Sequence, residues 1–221
     1  MTDVPRKIPR LGWAVAFIAA TILVGITWVQ LKGTKPSGAE KMPVIAAVPD
    51  FSFKNQTGGT VSLQDLKGQV WVADFVFTRC GGPCPLMSNR MAELQAAVEK
   101  AGGGVRLISV TVDPDFDTPE VLAKYGAQFG ANPDVWWLLT GEKTKVDDFV
   151  VKGMLQPLAR DGEGVPSHSQ RFVVVDGEGR LRSYYDLNEE ELIPKLLMDI
   201  GALMRESEQK PKPVENEKPH S

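Results

Sequence analysis

The stretch of sequence that decides the fold runs from Val70 to Pro85 and reads VWVADFVFTRCGGPCP. Its first eight residues, 70–77, are almost unbroken apolar, which is typical of a strand buried on both faces of a parallel sheet. The remainder carries two cysteines, Cys80 and Cys84, with two glycines and a proline between them. Because Pro85 suits the start of a helix, we predict that the cysteines lie where a buried strand meets a helix.

Strands and helices alternate around this stretch, which indicates an α/β fold. The pattern predicts strands at 51–54, 60–63, 70–77, 105–112, 136–139, 172–175 and 181–185. It predicts helices at 85–100, 118–129, 144–151 and 189–205. This order, ending in a hairpin and a helix, is that of a thioredoxin-type sheet, so the chemistry is expected at the carboxyl end of 70–77.

The two cysteines are predicted to act chemically, because a disulfide between residues so close in sequence constrains little of the unfolded chain. The proline places Cys84 at the helix N-cap, where the positive end of the helix favours a thiolate and lowers the thiol pKa. Paired thiolates form either a redox disulfide or a site for a soft metal, which is copper(I), zinc or an iron–sulfur cluster. Three residues separate Cys80 from Cys84 where thioredoxin-like oxidoreductases have two, which weakens the plain oxidoreductase interpretation without excluding it.

Of the two histidines, His168 is the candidate third ligand. It precedes the predicted strand 172–175, and in a thioredoxin-type sheet the loop before this strand flanks the cysteine loop. One imidazole and two thiolates suit one copper ion, three-coordinate as copper(I) or planar as copper(II) with an added oxygen ligand. A closed zinc site normally takes four protein ligands, and the sequence offers no obvious fourth. The alternative for His168 is a polar loop residue that binds no metal.

The N-terminal region is predicted to hold the domain at a membrane. Residues 11–31 are uncharged and long enough for a transmembrane helix, and basic residues precede them. Residues 1–10 are therefore expected to stay cytoplasmic, with the domain on the exported, periplasmic side. The alternative is a cleaved signal peptide, although this apolar run is longer than such peptides usually carry. We predict a tether at 32–48, one domain at 49–205 and a disordered tail at 206–221.

The charge balance argues against nucleic acid as a partner. The net charge is −3, and the first 35 residues hold five basic residues and one acidic residue, so the remainder is more acidic still. Nucleic-acid binding requires a basic face for the phosphates.

Three motifs follow one another through the predicted domain. They are DFVFTRCxxxCP from Asp74, VDPxxDTP from Val112, and SHS from Ser167 ahead of FVVVD. Their order and spacing resemble the Sco/SenC family of copper chaperones for cytochrome c oxidase assembly. The resemblance implies that Cys80, Cys84 and His168 bind copper and that cytochrome c oxidase subunit II receives it.

Two positions bear on how the cysteines behave. Gly81 stands where the family commonly has proline, and a looser loop alters metal affinity or favours a disulfide. Asp74 lies on the predicted buried strand, six residues before Cys80. It is either an acceptor for a thiol proton or a buried carboxylate satisfied by backbone donors or water.

Two functions therefore remain at this point. The leading hypothesis is a metallochaperone that delivers copper by ligand exchange. The second is an enzyme, a thiol–disulfide reductase that keeps the copper-site cysteines of a partner reduced. A thiol peroxidase is disfavoured, because no Pro-x-x-x-Thr-x-x-Cys pattern surrounds Cys80.

Overall fold

A mixed eight-stranded sheet is the centre of the computed structural model, which describes Thr21, residues 41–162 and residues 166–209. The strands are β1 (Ala46–Ala47), β2 (Ser52–Asn55), β3 (Thr60–Ser62), β4 (Val70–Val76), β5 (Val105–Thr111), β6 (Trp136–Thr140), β7 (Leu158–Arg160), β8 (Pro166–His168), β9 (Arg171–Val175) and β10 (Arg180–Asp186). The order in the large sheet is β1-β10-β9-β4-β5-β6-β2-β3, and β7 pairs with β8 in a separate sheet.

The middle of the large sheet consists of the parallel strands β4, β5 and β6. Val72 pairs with Leu107, and Ile108 pairs with Trp137. Every residue of β4 is buried, because elements cover the sheet on both faces. The prediction of a buried parallel strand at 70–77 is confirmed to within one residue.

Four α-helices of the region 41–209 connect and cover these strands: α1 (Cys84–Lys100), α2 (Pro119–Gln128), α3 (Lys143–Asp148) and α4 (Leu192–Glu208). The first of them, α1, packs against β4 and against α4. α2 begins as the sequence predicts, since the Thr118 hydroxyl accepts the Val121 N–H and Pro119 follows at the first helical position. α3 continues into a π-helical turn, Phe149–Gly153.

The last helix lies three residues downstream of its predicted bounds, 189–205. Glu191 has φ of 57°, in the left-handed region, so a regular helix begins only at Leu192. At its other end α4 continues through Glu208, so residues 206–208 are helical and do not belong to the predicted tail.

Three short strands, β1, β7 and β8, were not predicted from the sequence pattern. Ala46–Ala47 forms the edge strand β1 inside the predicted tether 32–48, and the hairpin of β7 and β8 was not predicted. Two or three residues are too few to establish an alternating pattern, so pairing with a neighbour decides whether such segments are strands.

The predicted membrane anchor, residues 11–31, lies outside the described residues except for Thr21. In the part of the chain that the structure describes, no helix has the length and apolar character that crossing a bilayer requires.

A buried arginine joins the start of the domain to its end. Arg182, on β10, is 2% exposed and donates hydrogen bonds to the backbone oxygens of Met42 and Pro43. It also forms ion pairs of 2.7 Å with Asp176 and 2.9 Å with Glu206 on α4. The chain after the predicted anchor and the end of the last helix are thus held by one guanidinium.

We expect Arg182→Ala to lower the free energy of unfolding by about 3 kcal/mol, because it removes a buried guanidinium from Asp176, which keeps Arg180, from Glu206, and from the backbone oxygens of Met42 and Pro43. Urea denaturation at neutral pH measures the change. The control is Arg90→Ala, which removes an exposed ion pair with Glu93 and should cost less than about 1 kcal/mol. If both variants lower the free energy of unfolding equally, Arg182 does not hold the two ends of the domain together.

Candidate metal centre

The two cysteines lie at the carboxyl end of the parallel strands, where β4 leads into α1. Cys84 is the first residue of α1, and Pro83 is the N-cap with φ of −74° and ψ of −23°. The predicted N-cap at Cys84 is therefore wrong by one residue, because a proline is tolerated throughout the first helical turn. Cys84 is fully buried and Cys80 is half-buried, and both are free thiols.

Two aspartates from the loop after β5 hold the beginning of the cysteine loop. The buried carboxylate of Asp117 accepts the backbone N–H of Thr78 at 3.1 Å and its hydroxyl at 2.5 Å, and also accepts the Thr111 hydroxyl. Asp113 accepts two bonds from Arg79, of 3.0 Å from Nε and 2.6 Å from Nη2. The residues just before Cys80 are thus tied to the neighbouring strand.

His168 lies at the end of β8 and contacts the buried cysteine. Its Nε2 is 3.4 Å from the sulfur of Cys84, although 84 residues separate the two in sequence. The other ring nitrogen, Nδ1, is 2.8 Å from the backbone oxygen of Ser169. A carbonyl only accepts, so Nδ1 carries the proton and the lone pair of Nε2 faces the thiol of Cys84.

Burial sets the protonation of this pair. It raises the pKa of Cys84 well above the ordinary thiol value, and hydrogen bonding to Cys80 raises it further. The prediction that the helix start lowers the Cys84 pKa is wrong, because a helix terminus contributes only about 0.3–1 kcal/mol at an ordinary site. Burial also lowers the pKa of His168, which keeps its imidazole neutral.

Of the three predicted ligands, Cys84 and His168 are in direct contact. Cys80 interacts with Cys84 and raises the pKa of its thiol. Across the described residues, no three His, Cys, Asp or Glu side chains are grouped so that they could hold a metal ion. A Cβ added at Gly81 would meet no atom within 4 Å, so the loop has free space beside Cys80.

Asp74 lies on β4 and is fully buried. One carboxylate oxygen accepts the Ser109 hydroxyl at 2.5 Å, and that hydroxyl accepts the indole N–H of Trp136 at 2.9 Å. The other oxygen has no partner within the described residues. Burial raises the pKa of Asp74 to about 7, against a lowering by the Ser109 bond. Its charge also raises the pKa of Cys84.

Sequence reasoning missed the roles of several residues that support the site, although Thr78 and Asp117 both lie in the motifs quoted above. The roles of Asp117 and Thr78 require the two loops to meet, and the acceptor for His168 is the backbone oxygen of Ser169. Backbone acceptors are common to every residue type, so only the fold identifies them.

An α/β sheet with two thiols at a strand–helix junction, and an imidazole against one of them, defines a dithiol protein of thioredoxin type. The SCO1/SenC family model matches residues 40–205. The chain therefore belongs to the SCO1/SenC family.

Individual relatives agree with this assignment. The SCO1 protein homolog of Bacillus subtilis is 35% identical over 162 residues, which are 72% of this chain and 84% of the relative. A SCO1/SenC family lipoprotein from Bacillus anthracis matches in structure with a TM-score of 0.70 and 31% identity, over 75% of this chain and 99% of that chain.

Two further solved structures are similar. BsSco, a member of the Sco family of cytochrome c oxidase assembly proteins in which a disulfide switch has been identified, matches with a TM-score of 0.68 and 31% identity, over 77% of this chain and all of that chain. ScoI from Bradyrhizobium japonicum, solved with copper bound, has a TM-score of 0.61 and 23% identity, over 72% and 99% of the two chains. These likenesses confirm the predicted thioredoxin-like fold.

The raised pKa of Asp74 predicts how stability depends on pH. A folded-state pKa of about 7, against 3.8 for the free side chain, means that the folded protein holds its proton more tightly. The contribution of Asp74 to stability is thus greatest below pH 3.8 and is lost as the pH rises towards 7. Relative to the parent, Asp74→Asn should gain up to about 4 kcal/mol of unfolding free energy between pH 4 and 7.5.

Urea denaturation at the two pH values measures this gain. The control is Asp148→Asn, which removes an exposed ion pair with Lys152 and should cost less than about 1 kcal/mol at both pH values. A parallel pH dependence of Asp74→Asn and parent would refute the perturbed pKa.

Proposed function

We propose that this chain is a metallochaperone that delivers copper to cytochrome c oxidase during its assembly. One copper ion is its cargo, held by Cys80, Cys84 and His168. The observation that carries the proposal is the 3.4 Å contact between the Cys84 sulfur and His168 Nε2, which brings a thiol and a neutral imidazole to one point from distant parts of the chain. Copper bound in the Bradyrhizobium japonicum ScoI structure supports it.

The donor set suits copper in both of its common oxidation states. Thiolates select soft ions, and imidazole suits copper as well. His168 offers Nε2 without losing a proton, because Nδ1–H is already donated to Ser169. Cys84 must release its proton on binding, because burial keeps the thiol neutral in the metal-free protein. Copper binding is then favoured by higher pH.

Closing the site requires only a small rearrangement. Cys84 and His168 already meet, so Cys80 is the ligand that must move to complete a three-coordinate site. The free space beside Gly81 permits this movement. A three-coordinate ion has room for an entering ligand, and the receiver we propose is cytochrome c oxidase subunit II or a similar copper acceptor.

The proposed location is the exported, periplasmic face of a membrane. Residues 11–31 anchor the chain with residues 1–10 in the cytoplasm, and the domain of 49–205 follows the tether. The support is the uncharged apolar run with basic residues before it. The relative from Bacillus anthracis is a lipoprotein, which is also a membrane-attached form.

Replacing the imidazole tests the ligand set. We expect His168→Ala to weaken copper binding by the reduced full-length protein at least about 100-fold, because it removes a direct ligand. Anaerobic copper titration against a competing chelator measures the affinity. His220→Ala is the matched control, since His220 is the other histidine of the chain, and it should bind as the parent does. If His168→Ala also binds as the parent does, the third-ligand assignment fails.

A thiol–disulfide reductase is the second candidate function, and Asp74 favours it. Its carboxyl has a pKa of about 7 and one unpartnered oxygen, and it lies close enough to Cys84 for its charge to act there. In this role the Asp74 carboxylate takes the Cys84 proton as that sulfur displaces the partner's thiolate from a mixed disulfide on Cys80. The products are an oxidised Cys80–Cys84 pair and two reduced cysteines on the partner.

Asp74→Asn separates the two functions. We expect it to slow reduction of an oxidised copper-site peptide by about 100-fold, because it removes the proton acceptor. Copper affinity should not fall, since Asp74 is not a ligand and its charge raises the pKa of the Cys84 thiol that must release its proton. Stopped-flow tryptophan fluorescence follows the exchange, and chelator competition follows the copper. If the parent transfers copper to a subunit II copper domain but does not reduce the peptide, the reductase role is excluded.

A further inference from the structure

We propose that Arg160 is a positioning residue that sets the place of His168 against Cys84. Arg160 lies on the strand that pairs with the strand carrying the histidine. The inference rests on the proposed copper site and adds to it a residue that touches neither the ion nor its ligands.

The hairpin that carries His168 is small. β7 and β8 have three residues each, and they pair with one another in a sheet separate from the large one. In their register Leu158 lies opposite His168, and Arg160 lies opposite Pro166. A hairpin of this size is marginally stable alone, so its position depends on contacts with the rest of the domain.

Arg160 supplies such contacts in two directions. Its Nη2 donates to the backbone oxygen of Val112 at 2.9 Å and to the carboxylate of Asp147 on α3 at 2.7 Å. The arginine side chain is 19% exposed, so these charge-assisted bonds are partly shielded from water. One guanidinium thus fixes the hairpin both to the sheet and to a helix.

The attachment at Val112 leads directly to the cysteine loop. Val112 follows the last residue of β5, and its N–H donates to the backbone oxygen of Val76 at 2.9 Å. Val76 is the last residue of β4, so the loop with the cysteines begins just after it. Through Val112, Arg160 therefore connects the His168 hairpin to the end of β4, where the cysteine loop begins.

This connection sets the distance between the His168 hairpin and the cysteine loop. Among the described residues, the His168 ring is held, besides its contact with Cys84, by the bond to Ser169 and by an edge-on contact with Phe77 at 6.0 Å between ring centroids. Neither attaches the hairpin to α3 or to the end of β5. Removing Arg160 frees the hairpin from Val112 and from Asp147 together. The Nε2 lone pair then spends less time within reach of the Cys84 sulfur, and copper affinity falls.

The test uses the reduced full-length protein and chelator competition with copper. We expect Arg160→Ala to weaken binding about tenfold, within the range for residues that support metal ligands. Arg160→Lys keeps the charge but cannot reproduce the planar fork, and should lie between Arg160→Ala and the parent. In a His168→Ala background, Arg160→Ala should add no further loss, because its effect passes through the imidazole.

Arg90→Ala is the matched control, since it removes an arginine ion pair from α1 and should bind copper as the parent does. Urea denaturation checks that the variants remain folded. As a readout without metal, the ring nitrogen chemical shifts of His168 should move in Arg160→Ala and stay unchanged in Arg90→Ala.

The outcomes are distinguishable. If His168→Ala binds weakly and Arg160→Ala binds as the parent does, the positioning role is wrong and the proposed function stands. If Arg160→Ala costs the same with and without His168, its role is general stability and the proposal is also overturned. If the parent does not bind copper, the proposed function fails, and unchanged His168 shifts in Arg160→Ala would reject the positioning role independently.

Discussion

The contact between the sulfur of Cys84 and the imidazole of His168 depends on the burial of one thiol at the start of a helix. Because β4 is buried at every position, the chain that leaves it enters α1 with Cys84 already inside the core. The helix start alone would favour a thiolate, but the surroundings of Cys84 exclude water, and the thiol stays neutral. A neutral thiol and a neutral imidazole can therefore lie in contact, at 3.4 Å, without charge repulsion.

Support for this arrangement comes from loops that belong to neighbouring strands. Asp117 and Asp113 follow β5 and hold the residues just before Cys80, while the hairpin with His168 is attached beside the same edge of the sheet. Parallel strands end at a common edge, so short loops from each can meet there. The hairpin precedes β9, which runs antiparallel to β4, so it lies at the same edge of the sheet as the cysteine loop, and residues 84 positions apart become neighbours.

The elements with long, regular patterns were predictable from the sequence, and those defined by pairing were not. The apolar run at 70–77, the Thr118–Pro119 helix start and the hairpin of β9 and β10 each have local signals, and the structure contains all three. The candidate ligands Cys80, Cys84 and His168 were predicted through motif order, and the contact between Cys84 and His168 required the fold. The pKa of Cys84 was predicted in the wrong direction, because burial depends on packing that no local pattern reports. The strands β1, β7 and β8 were missed, whereas β3, which is equally short, was predicted because the turn-rich stretch 55–59 joins it to β2.

The two cysteines differ in their exposure, so a partner can reach one sulfur more easily than the other. A large oxidant or a partner's thiolate reaches the half-buried sulfur of Cys80, whereas the sulfur of Cys84 is shut off by the protein around it. In either of the proposed functions, a macromolecular partner would therefore meet Cys80 first and Cys84 second. Solvent access then sets the order in which the two sulfurs exchange bonds.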